Sequence, residues 1–488
     1  MEFDDLQQTR IAKLQTLRDT GRDPYPPRSE RTITNAEAVA EFDRREGETH
    51  TVVGRLMLKR GQGKIAFLTV RDGTGDIQFF VQQNNVGEVA MQVVKALLDL
   101  GDIVQATGTL MKTRNGEVSI DVTDIRLLSK ALSPPPEKWH GLQDIEKRYR
   151  QRYLDLIAND EARQVAVQRS RILEATRAFM NGRGFLEVET PTLQPLYGGA
   201  AARPFVTHHN TLDQDLYLRI ADELYLKRLI VGGLERVYEI CKDFRNEGID
   251  RQHNPEFTMM ECYQAYADYH AMMDIVEGLC AHVATTVIGS LTVTYGDHTV
   301  DLRPPWPRIP LRDAVKDACG IDYVAITDTE ELRRRAREAG AEIPSDMVRA
   351  RIIDELLKAF VRPSLIAPTF LIDYPVELSP LAKTKPGDPT VVERFQPFIA
   401  GLELGNAYTE LNDPLDQLAR FEEQARQRAQ GDMEAMPVDE DFVTALMHGM
   451  PPTGGLGVGI DRMVMFFTNQ PSIRDVILFP ALRSTEGR

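Results

Sequence analysis

The run Ser133-Pro134-Pro135-Pro136 limits what this chain can fold into more than any other feature. Consecutive prolines cannot continue a helix or a strand ladder, and they hold the backbone extended. The chain has 488 residues, which is also more than one ordinary core organises. We therefore expect separate folded units on the two sides of a linker over 133–160.

Short runs of strand character dominate the stretch before the prolines. After an N-terminal helical segment over 1–50, a helix-like run from Val86 to Leu100 stands between the third and fourth of five such runs. The five runs are Thr51–Leu58, Ile65–Arg71, Ile77–Gln82, Ile103–Met111 and Glu117–Leu127. Five strands in this order, with glycine-bearing turns between them, predict an all-β OB-fold barrel over 51–132.

Charge is distributed unevenly along the chain. Residues 1–150 contain 22 Lys and Arg against 22 Asp and Glu, so the net charge of -15 belongs to the remainder. An acidic chain as a whole argues against a nucleic-acid partner. Because the first third is neutral, polyanion binding remains open for that part.

Cysteine usage and the N-terminal residues indicate the compartment. The four cysteines (Cys241, Cys262, Cys280 and Cys319) form no CxxC pair, which argues against a zinc ribbon and against a disulfide scaffold. The first residues are acidic where a signal peptide is basic, and no run near 18 apolar residues occurs. We expect a cytoplasmic protein with reduced, mostly buried thiols.

The segment from Glu235 to Tyr263 predicts two strands joined by a polar loop. With a period of two, Phe257, Glu261 and Tyr263 share one face of the second strand. The first strand ends at Arg245, whose planar fork suits bidentate binding of a carboxylate or phosphate. Such a hairpin can hold a nucleotide beside a cationic ligand. From these residues alone, an antiparallel pair with surface ion pairs on a wet face remains the alternative.

A glycine-rich strand near the C-terminus precedes a predicted helix. Gly454-Gly455-Leu456-Gly457-Val458-Gly459 leads into Ile460-Asp461-Arg462 and an apolar run. Ile460 stands where a dinucleotide fingerprint needs its third glycine, and no GxxxxGK[ST] run occurs, which excludes ordinary Rossmann and P-loop sites. What remains is a strand passing close to a ligand, then a helix with Arg462 in its first turn. Close packing of strand on helix is the alternative reason for one or two of the glycines.

Three of these segments resemble the motifs of class II aminoacyl-tRNA synthetases. Gly184–Pro191 resembles motif 1, the hairpin resembles motif 2, and Gly454–Phe467 resembles motif 3. More closely, Gly198–Phe205, Tyr263–Tyr269 and Asn406–Asp413 are similar to bacterial lysyl-tRNA synthetases. The resemblance covers nearly the whole chain, including the OB-like part.

The resemblance implies a C-terminal α+β catalytic domain over 161–488, with an antiparallel sheet flanked by helices and a helical insert over about 310–361. It also implies a homodimer formed through motif 1, Mg²⁺ as cofactor, and ATP, L-lysine and tRNA(Lys) as substrates, without a membrane partner.

Carried over residue by residue, the resemblance assigns the nucleotide end of a site. Arg245 and Arg462 would be the catalytic residues, with Arg245 on the ATP α-phosphate and the lysine carboxylate. Arg462 and Phe257 would lie on the two faces of the adenine, which suits a guanidinium plane and an aromatic ring. The other implied ATP-binding residues are Glu247, His253, Asn254 and Glu403.

The implied lysine site is rich in carboxylates. Gly199 and Glu223 would bind the α-ammonium, and Asn406 would bind the carboxylate. The ε-ammonium would lie among Glu261, Tyr263 and Glu410. A buried ammonium requires such partners, since an unpaired charge would cost several kcal/mol. Glu261 also argues against an aspartyl or asparaginyl enzyme, which should show a basic residue at that position.

One departure from the family concerns the metal. In the family Glu403 binds Mg²⁺ with a second acidic residue seven positions earlier, and here that position is Gln396. An amide oxygen can ligate Mg²⁺ but brings no charge, so we expect a weaker or rearranged site. The period of two along this strand places Asn406 and Glu410 on one face and Glu403 on the other. Because all three belong to the implied site, we predict a bulge at Gly405 that brings Glu403 to the same face.

In the OB-like part, the resemblance implies that Phe67 stacks on an anticodon base and that Gln78 and Glu117 read uridines. From the residues alone, Phe67 as barrel core remains the alternative. Basic residues of the same strands and loops are candidates to track phosphates: Lys59, Arg60, Lys64, Arg71, Lys112 and Arg114.

The implied activity is formation of lysyl-adenylate from lysine and ATP, followed by transfer to the 3′ end of tRNA(Lys), through positional and electrostatic catalysis. Two alternatives remain. A paralogue that lysylates a protein would lack the anticodon domain, and this chain has one. A non-catalytic RNA-binding regulator would have no need of both Arg245 and Arg462.

Overall fold

The computed structural model describes residues 2–136, 142–429 and 434–484, and the chain forms two compact units, Met1–Gln143 and Asp144–Arg488. The expected linker over 133–160 is divided between these units, and residues 137–141 lie outside the described part. The expected N-terminal segment over 1–50 is not separate from the barrel either, because Ile33, Ala38 and Phe42 pack into the barrel core.

The first unit is built around a closed barrel with the strand order β1-β2-β3-β5-β4. Its strands are β1 Thr49–Gln62, β2 Ile65–Arg71, β3 Asp76–Gln82, β4 Ile103–Lys112 and β5 Val118–Ser129. Its helices are α1 Asp5–Asp19, α2 Asn35–Ala40, α3 Phe42–Arg45, α4 Gln83–Val86 and α5 Glu88–Gln92, followed by a π-helical turn Val93–Leu97. The predicted OB-fold is confirmed. The helix-like run predicted from Val86 to Leu100 is present as α5 and the π-helical turn, and Gly87, with a φ of 83°, separates it from α4.

Alternation along the strands explains the barrel. On β2, Ala66, Leu68 and Val70 are buried, whereas Phe67 and Thr69 are partly exposed on the outer face. Aliphatic side chains fill the interior, and each fully buried one contributes about 1.5–3 kcal/mol.

The second unit contains twelve of the α-helices in the part of the chain that the structure describes. They are α6 Ile145–Arg150, α7 Arg152–Ala158, α8 Asp160–Gly182, α9 Glu223–Val231, α10 Tyr269–Val283, α11 Leu311–Cys319, α12 Thr329–Glu338, α13 Arg349–Leu356, α14 Pro414–Ala429, α15 Glu440–Met447, α16 Ile460–Phe467 and α17 Ile473–Val476. Shorter π and 3-10 turns are Ala284–Ile288, Leu357–Val361, Arg362–Ser364 and Val376–Leu378. Helices α11 to α13 occupy the stretch predicted as a helical insert.

The strands of the second unit form one large and two small sheets. They are β6 Leu186–Glu187, β7 Leu193–Gln194, β8 Val206–His209, β9 Gln214–Leu218, β10 Arg236–Phe244, β11 Glu256–Ala265, β12 Thr292–Tyr295, β13 His298–Asp301, β14 Arg308–Pro310, β15 Thr369–Pro375, β16 Thr384–Lys385, β17 Asp388–Ile399, β18 Leu402–Glu403, β19 Gly405–Thr409 and β20 Thr453–Gly459. The small sheets are β12-β13 and β7-β9-β8.

The large sheet runs β14-β15-β17-β19-β20-β11-β10-β6, with β16 and β18 paired to β17. Its two end pairs, β14 with β15 and β6 with β10, are parallel, and the pairs between them are antiparallel. The predicted α+β architecture, with an antiparallel sheet flanked by helices, is therefore confirmed.

One face of this sheet packs on helices. Met260, Cys262, Leu456 and Val458 belong to the same buried cluster as apolar residues of α8, α10 and α16. The continuous helix Tyr269–Ile288, α10 with the turn after it, is long and apolar enough to cross a membrane by length and composition. Half of its most apolar window is buried inside the protein, as in the core helix of a globular unit.

The segment after Leu402 changes register by one residue. β17 pairs Phe398 with Glu403 but Phe395 with Ala407, so one extra residue stands on the 403–407 side. The strand is interrupted between β18 and β19, before Gly405. The bulge predicted for this segment is present.

Candidate active site

The face of the large sheet opposite the helices carries the predicted hairpin residues. On β11, Phe257, Glu261 and Tyr263 alternate with Met260 and Cys262, which belong to the core on the other side. The shared face predicted from the period of two is therefore present. The wet surface offered as an alternative is not, because Glu261 and Tyr263 are buried.

The glycines of β20 lie next to these side chains. Gly455 pairs with Tyr263 and Gly457 with Glu261 in antiparallel register. A Cβ at Gly455 would overlap Glu410 and would lie 2.6 Å from Cε1 of Tyr263. Glycine is required at 455 by the side chains that stand over the strand, rather than by packing of the strand on a helix.

Glu410 and Glu261 form the carboxylate end of the pocket. Glu410 is 1% exposed and Glu261 is 7% exposed, and the hydroxyl of Tyr263 donates to Oε2 of Glu261 at 3.1 Å. Among the described residues, Oε1 of Glu410 has no hydrogen-bond partner. Burial raises the pKa of both carboxyls well above the ordinary value. A buried carboxylate oxygen without a partner is costly and favours a cationic ligand.

A third carboxylate, Glu223, stands in the first turn of α9. Its Oε2 accepts from the hydroxyl of Tyr408 at 2.5 Å, and its Oε1 accepts from Nζ of Lys227 at 2.6 Å. Lys227 also forms an ion pair with Glu410. Gly199, with a φ of 89°, lies beside Glu223, since a Cβ there would come 3.1 Å from the Cβ of Glu223. The structure therefore brings Glu223 and Glu410 together on one ammonium of the protein itself, with Gly199 beside Glu223.

Further acids line the wall of the pocket. Burial raises the pKa of Asp222 to about 7 and that of Asp243 to about 6. Sγ of Cys241 lies 3.7 Å from a carboxylate oxygen of each, and burial raises the pKa of this thiol as well. Asp222 is also hydrogen-bonded to Glu261, which requires a proton between the two carboxyls.

The nucleotide end of the face begins at Arg245, directly after β10. Its backbone N–H donates to the carbonyl of Pro255 at 2.8 Å, which closes the base of the hairpin loop. Its guanidinium carbon lies 5.0 Å from the ring centroid of Phe257. A fixed cation therefore lies over an aromatic face, as expected of a phosphate and base site.

Arg462, His253 and Glu403 meet at the other side of this end. Arg462 lies in the first turn of α16, as predicted, and donates to the backbone carbonyl of Glu403 at 3.0 Å. Its Nη2 lies 3.2 Å from Nε2 of His253, while Nδ1 of His253 lies 2.8 Å from a carboxylate oxygen of Asp250. Because Nδ1 donates to that carboxylate, Nε2 is the acceptor for Arg462.

Two of the implied nucleotide ligands stand apart from this cluster. The side chain of Glu247 is exposed. Asn254 is 6% exposed, its Oδ1 accepts from the N–H of Ala481 at 3.1 Å, and its Nδ2 donates to the carbonyl of Glu256. Asn254 therefore fastens the C-terminal segment to the hairpin, and its amide is already used.

The implied metal site offers one acid, Glu403, whose Oε2 also lies 3.7 Å from Nη1 of Arg462. Gln396 donates from Nε2 to Oε1 of Glu403 at 2.9 Å, and its amide oxygen accepts from the hydroxyl of Tyr374 at 2.6 Å. Glu403 fits Mg²⁺ as a hard oxygen donor, whereas Gln396 turns its nitrogen toward Glu403 and its oxygen toward Tyr374. In this arrangement Gln396 holds one oxygen of Glu403, and the hydroxyl of Tyr374 already occupies its own amide oxygen.

Asn406 is oriented by a neighbouring arginine. Its Oδ1 accepts from Nε of Arg394 at 2.7 Å, and Arg394 lies over the ring of Tyr374. Because the oxygen is taken, the amide group has its nitrogen to offer as a donor, which suits a carboxylate ligand.

On the barrel, the implied anticodon residues lie on one outer face. Phe67 is partly exposed and stacks on Phe80 at 5.0 Å between ring centroids. Gln78 donates to Glu117 at 2.6 Å and accepts from Ser119 at 3.2 Å. Phe67 is therefore not barrel core, and Phe80, which the sequence did not single out, extends its aromatic surface.

Three of the six basic residues named for phosphates are already engaged within the barrel unit. Nζ of Lys59 donates to the backbone carbonyls of Val94, Lys95 and Leu98, where it ends the π-helical turn. Arg71 pairs with Asp76 and Lys112 with Asp43. For Lys59 the structure argues against a phosphate role, because its ammonium already donates to those three carbonyls.

Two family models match the two units separately. Residues 144–483 match "tRNA synthetases class II (D, K and N)", and residues 50–128 match "OB-fold nucleic acid binding domain". Among curated proteins, the lysine–tRNA ligase of Roseiflexus castenholzii is 57% identical, over 100% of both chains. Those of Chloroflexus aurantiacus and Moorella thermoacetica are 56% and 52% identical, over 98–99% of each chain.

The chain belongs to the lysine–tRNA ligases of the class II synthetases. This membership agrees with the hairpin, the glycine-rich strand and the carboxylate pocket. The pairing of β10, β11 and β20 places them on one face of the large sheet.

Two residues of this site, Lys227 and Arg219, were not predicted from the sequence. Lys227 follows Glu223 by four residues, which on a helix is typical of an ordinary surface pair. Arg219 also escaped notice. It lies 2.7 Å from Glu239 and 3.6 Å from Asp243, so its positive charge partly offsets the negative charge of these acids. Lys227 on α9 meets Glu410 after β19, and Arg219 after β9 meets two acids of β10, so only tertiary packing brings these residues to their partners.

Proposed function

We propose that the protein activates L-lysine with ATP to lysyl-adenylate and transfers the lysyl group to the 3′ end of tRNA(Lys). The observation that carries this proposal is the buried carboxylate end of the pocket. Glu410 and Glu261 are buried beside the hydroxyl of Tyr263, and one oxygen of Glu410 lacks a partner. A lysine ε-ammonium supplies the charge and the donors that this end requires.

In the proposed reaction, Arg245 holds the lysine carboxylate against the ATP α-phosphate, so that attack is in line. The nitrogen of Asn406 donates to the same carboxylate. Arg462 and Phe257 hold the adenine between them. Fixed positive charge from Arg245 stabilises the charge that develops on the phosphoryl oxygens.

Glu403 would hold Mg²⁺ at the nucleotide end, where the bound ion offsets phosphate charge. The contribution of the chain is to hold Glu403 in place through the amide of Gln396 and through the backbone contact with Arg462. With one acid in place of two, we expect weaker binding of the ion than a paired acidic site gives.

Recognition of the tRNA is proposed for the outer face of the barrel. Phe67 and Phe80 offer stacking surface to an unpaired base, and Gln78 with Glu117 offers donors and acceptors beside it. These groups suit single-stranded anticodon bases.

Assembly is proposed as a homodimer through motif 1, acting in the cytoplasm. Large apolar side chains around that motif are exposed, as at an interface between copies. They are Val167, Leu186, Leu193, Val206 and Leu212.

The test is amino-acid-dependent exchange of pyrophosphate into ATP, with lysine, arginine, ornithine and aspartate compared at fixed Mg²⁺. Exchange with lysine and not with aspartate supports the proposal, and charging of tRNA(Lys) completes it. Arg462→Ala should abolish the exchange while the oligomeric state stays unchanged. Absence of exchange with all four amino acids would overturn the proposal and favour a non-catalytic RNA-binding protein.

A further inference from the structure

Lys227 is a fully buried lysine inside the pocket proposed to bind lysine. Its Nζ lies 2.6 Å from Oε1 of Glu223 and in ion-pair contact with Oε2 of Glu410. The rings of Tyr408 and Phe442 lie 5.6 and 5.8 Å from the same nitrogen. The ammonium therefore stands between the two carboxylates assigned to the two ammonium groups of the substrate.

The geometry divides the oxygens of Glu410 between the protein and the pocket, whereas the protein holds both oxygens of Glu223. One oxygen of Glu410 is held by Lys227, whereas Oε1 lies over Gly455 beside Tyr263 without a partner among the described residues. Glu223 is held by Lys227 on one oxygen and by the hydroxyl of Tyr408 on the other. Lys227 thus fixes the direction in which Glu410 presents its remaining oxygen.

Charge balance gives the same conclusion. Burial lowers the pKa of Lys227, but Glu223 and Glu410 outweigh it, so its pKa stands above the ordinary value and the ammonium is retained. Burial raises the pKa of Glu410, and Lys227 acts to lower it. Without this internal cation, two buried carboxylates would stand side by side, and one would take up a proton in place of binding an ammonium.

We propose that Lys227 is a positioning residue for amino-acid selection: its fixed positive charge compensates the buried Glu410 and aims its remaining oxygen, so that the pocket takes a ligand with a terminal ammonium. This inference rests on the proposed function. It differs from a role in stability alone, because it requires the charge of Lys227 and not only its volume or its hydrogen bonds.

The chain offers a matched control in its other unit. Lys130 is also fully buried and also bridges two carboxylates, 2.7 Å from Asp99 and 2.8 Å from Asp102. Lys130→Met removes the same kind of bridge from the first unit, which contains none of the residues proposed to contact amino acid or ATP.

The experiment compares Lys227→Met, Lys227→Gln and Lys130→Met with the unchanged full-length protein in lysine-dependent pyrophosphate exchange without tRNA. Measured are KM for lysine, KM for ATP, and Ki for norleucine, which is lysine without its ε-ammonium. Thermal melting by circular dichroism shows that each variant is folded.

We expect both Lys227 variants to raise KM for lysine by at least about tenfold, while KM for ATP changes less than about threefold. Ki for norleucine should rise less than KM for lysine, because Glu223 keeps the hydroxyl of Tyr408 as a donor. Lys130→Met should lower the melting temperature and leave KM for lysine unchanged. The Gln variant keeps donors for both carboxylates, so it answers the question if the Met variant does not fold.

Three outcomes would overturn the inference. One is a Gln variant with the lysine KM of the unchanged protein, since hydrogen bonds alone would then suffice. Another is an equal loss of affinity for lysine and norleucine. The third is a rise in the lysine KM of Lys130→Met as large as that of Lys227→Met. If the unchanged protein shows no lysine-dependent exchange, the proposed function itself fails, which is a separate result.

Discussion

Gly455 of β20 lies directly beneath the carboxylate of Glu410, so close that any side chain at 455 would overlap it. The same missing side chain makes room for the ring of Tyr263. The backbone of Gly455 therefore forms the floor of the pocket, and the side chains of Glu410 and Tyr263 form its walls.

Gly455→Ala should reduce lysine-dependent exchange by about a hundredfold, because the added methyl group displaces Glu410 and Tyr263 from the ammonium position. Steady-state exchange at varied lysine concentration measures this loss. Gly459→Ala is the matched change on the same strand, where a Cβ meets nothing closer than the carbonyl of Leu404 at 3.5 Å. Its effect should stay within about threefold. Equal activity of the two variants would mean that the floor of the pocket lies elsewhere.

Gln396→Glu should lower the Mg²⁺ concentration that gives half-maximal exchange. The new carboxylate keeps the hydroxyl of Tyr374 as a donor but loses the bond to Glu403, and two adjacent acids attract a divalent ion. In EDTA the variant should melt at a lower temperature than the unchanged protein, because the acids repel, and added Mg²⁺ should recover the difference. A Mg²⁺ requirement that does not change would show that position 396 is remote from the ion.

Asp222→Asn should make the protein more stable at pH 8. The pKa of Asp222 is about 7 in the folded protein and 3.8 is its ordinary value, with burial as the main cause. The folded state therefore binds the extra proton between those values, and this group lowers the free energy of unfolding as pH rises from about 4 to 7. An amide at this position keeps a hydrogen-bond donor for Glu261 and removes the free-energy cost of ionising a buried carboxyl.

The gain for Asp222→Asn should be on the order of 1–4 kcal/mol at pH 8 and should vanish near pH 4. Urea unfolding at several pH values measures it. The acids and bases around this group are Glu239, Asp243, Glu261, Cys241 and Arg219. A gain that is the same at pH 4 and pH 8 would contradict a protonated pair of Asp222 and Glu261.

Phe67→Ala should raise KM for tRNA in lysylation by about tenfold to a hundredfold, because stacking of one base contributes about 1–3 kcal/mol. Pyrophosphate exchange without tRNA should be unchanged, which separates recognition of the tRNA from chemistry. Val89→Ala, at an exposed apolar residue of the same unit, serves as the control. An unchanged KM for tRNA would remove Phe67 from the contact surface.

Local patterns in the sequence were enough to predict elements and faces. The period of two placed Phe257, Glu261 and Tyr263 on one side of β11, and the glycine spacing predicted β20 and the turn of α16 that carries Arg462. The phase conflict between Glu403 and Asn406 predicted the extra residue near Gly405. Each of these follows from backbone geometry within a few residues.

Contacts between distant segments could not be predicted in the same way. The sequence shows Glu223 and Lys227 as a helical pair, but their burial depends on Glu410 and Tyr408 from another strand. Likewise, the amide of Gln396 is oriented by Tyr374 on β15. Side-chain direction at such sites is set by tertiary packing, which has no local signature.

The most direct test of the account is a crystal structure of the protein with a non-hydrolysable analogue of lysyl-adenylate. We predict the ε-ammonium within hydrogen-bond distance of Glu410 and Glu261, and the adenine between Phe257 and Arg462. An analogue bound with its ammonium in solvent, or with Lys227 displaced from Glu410 to make room for it, would contradict the account.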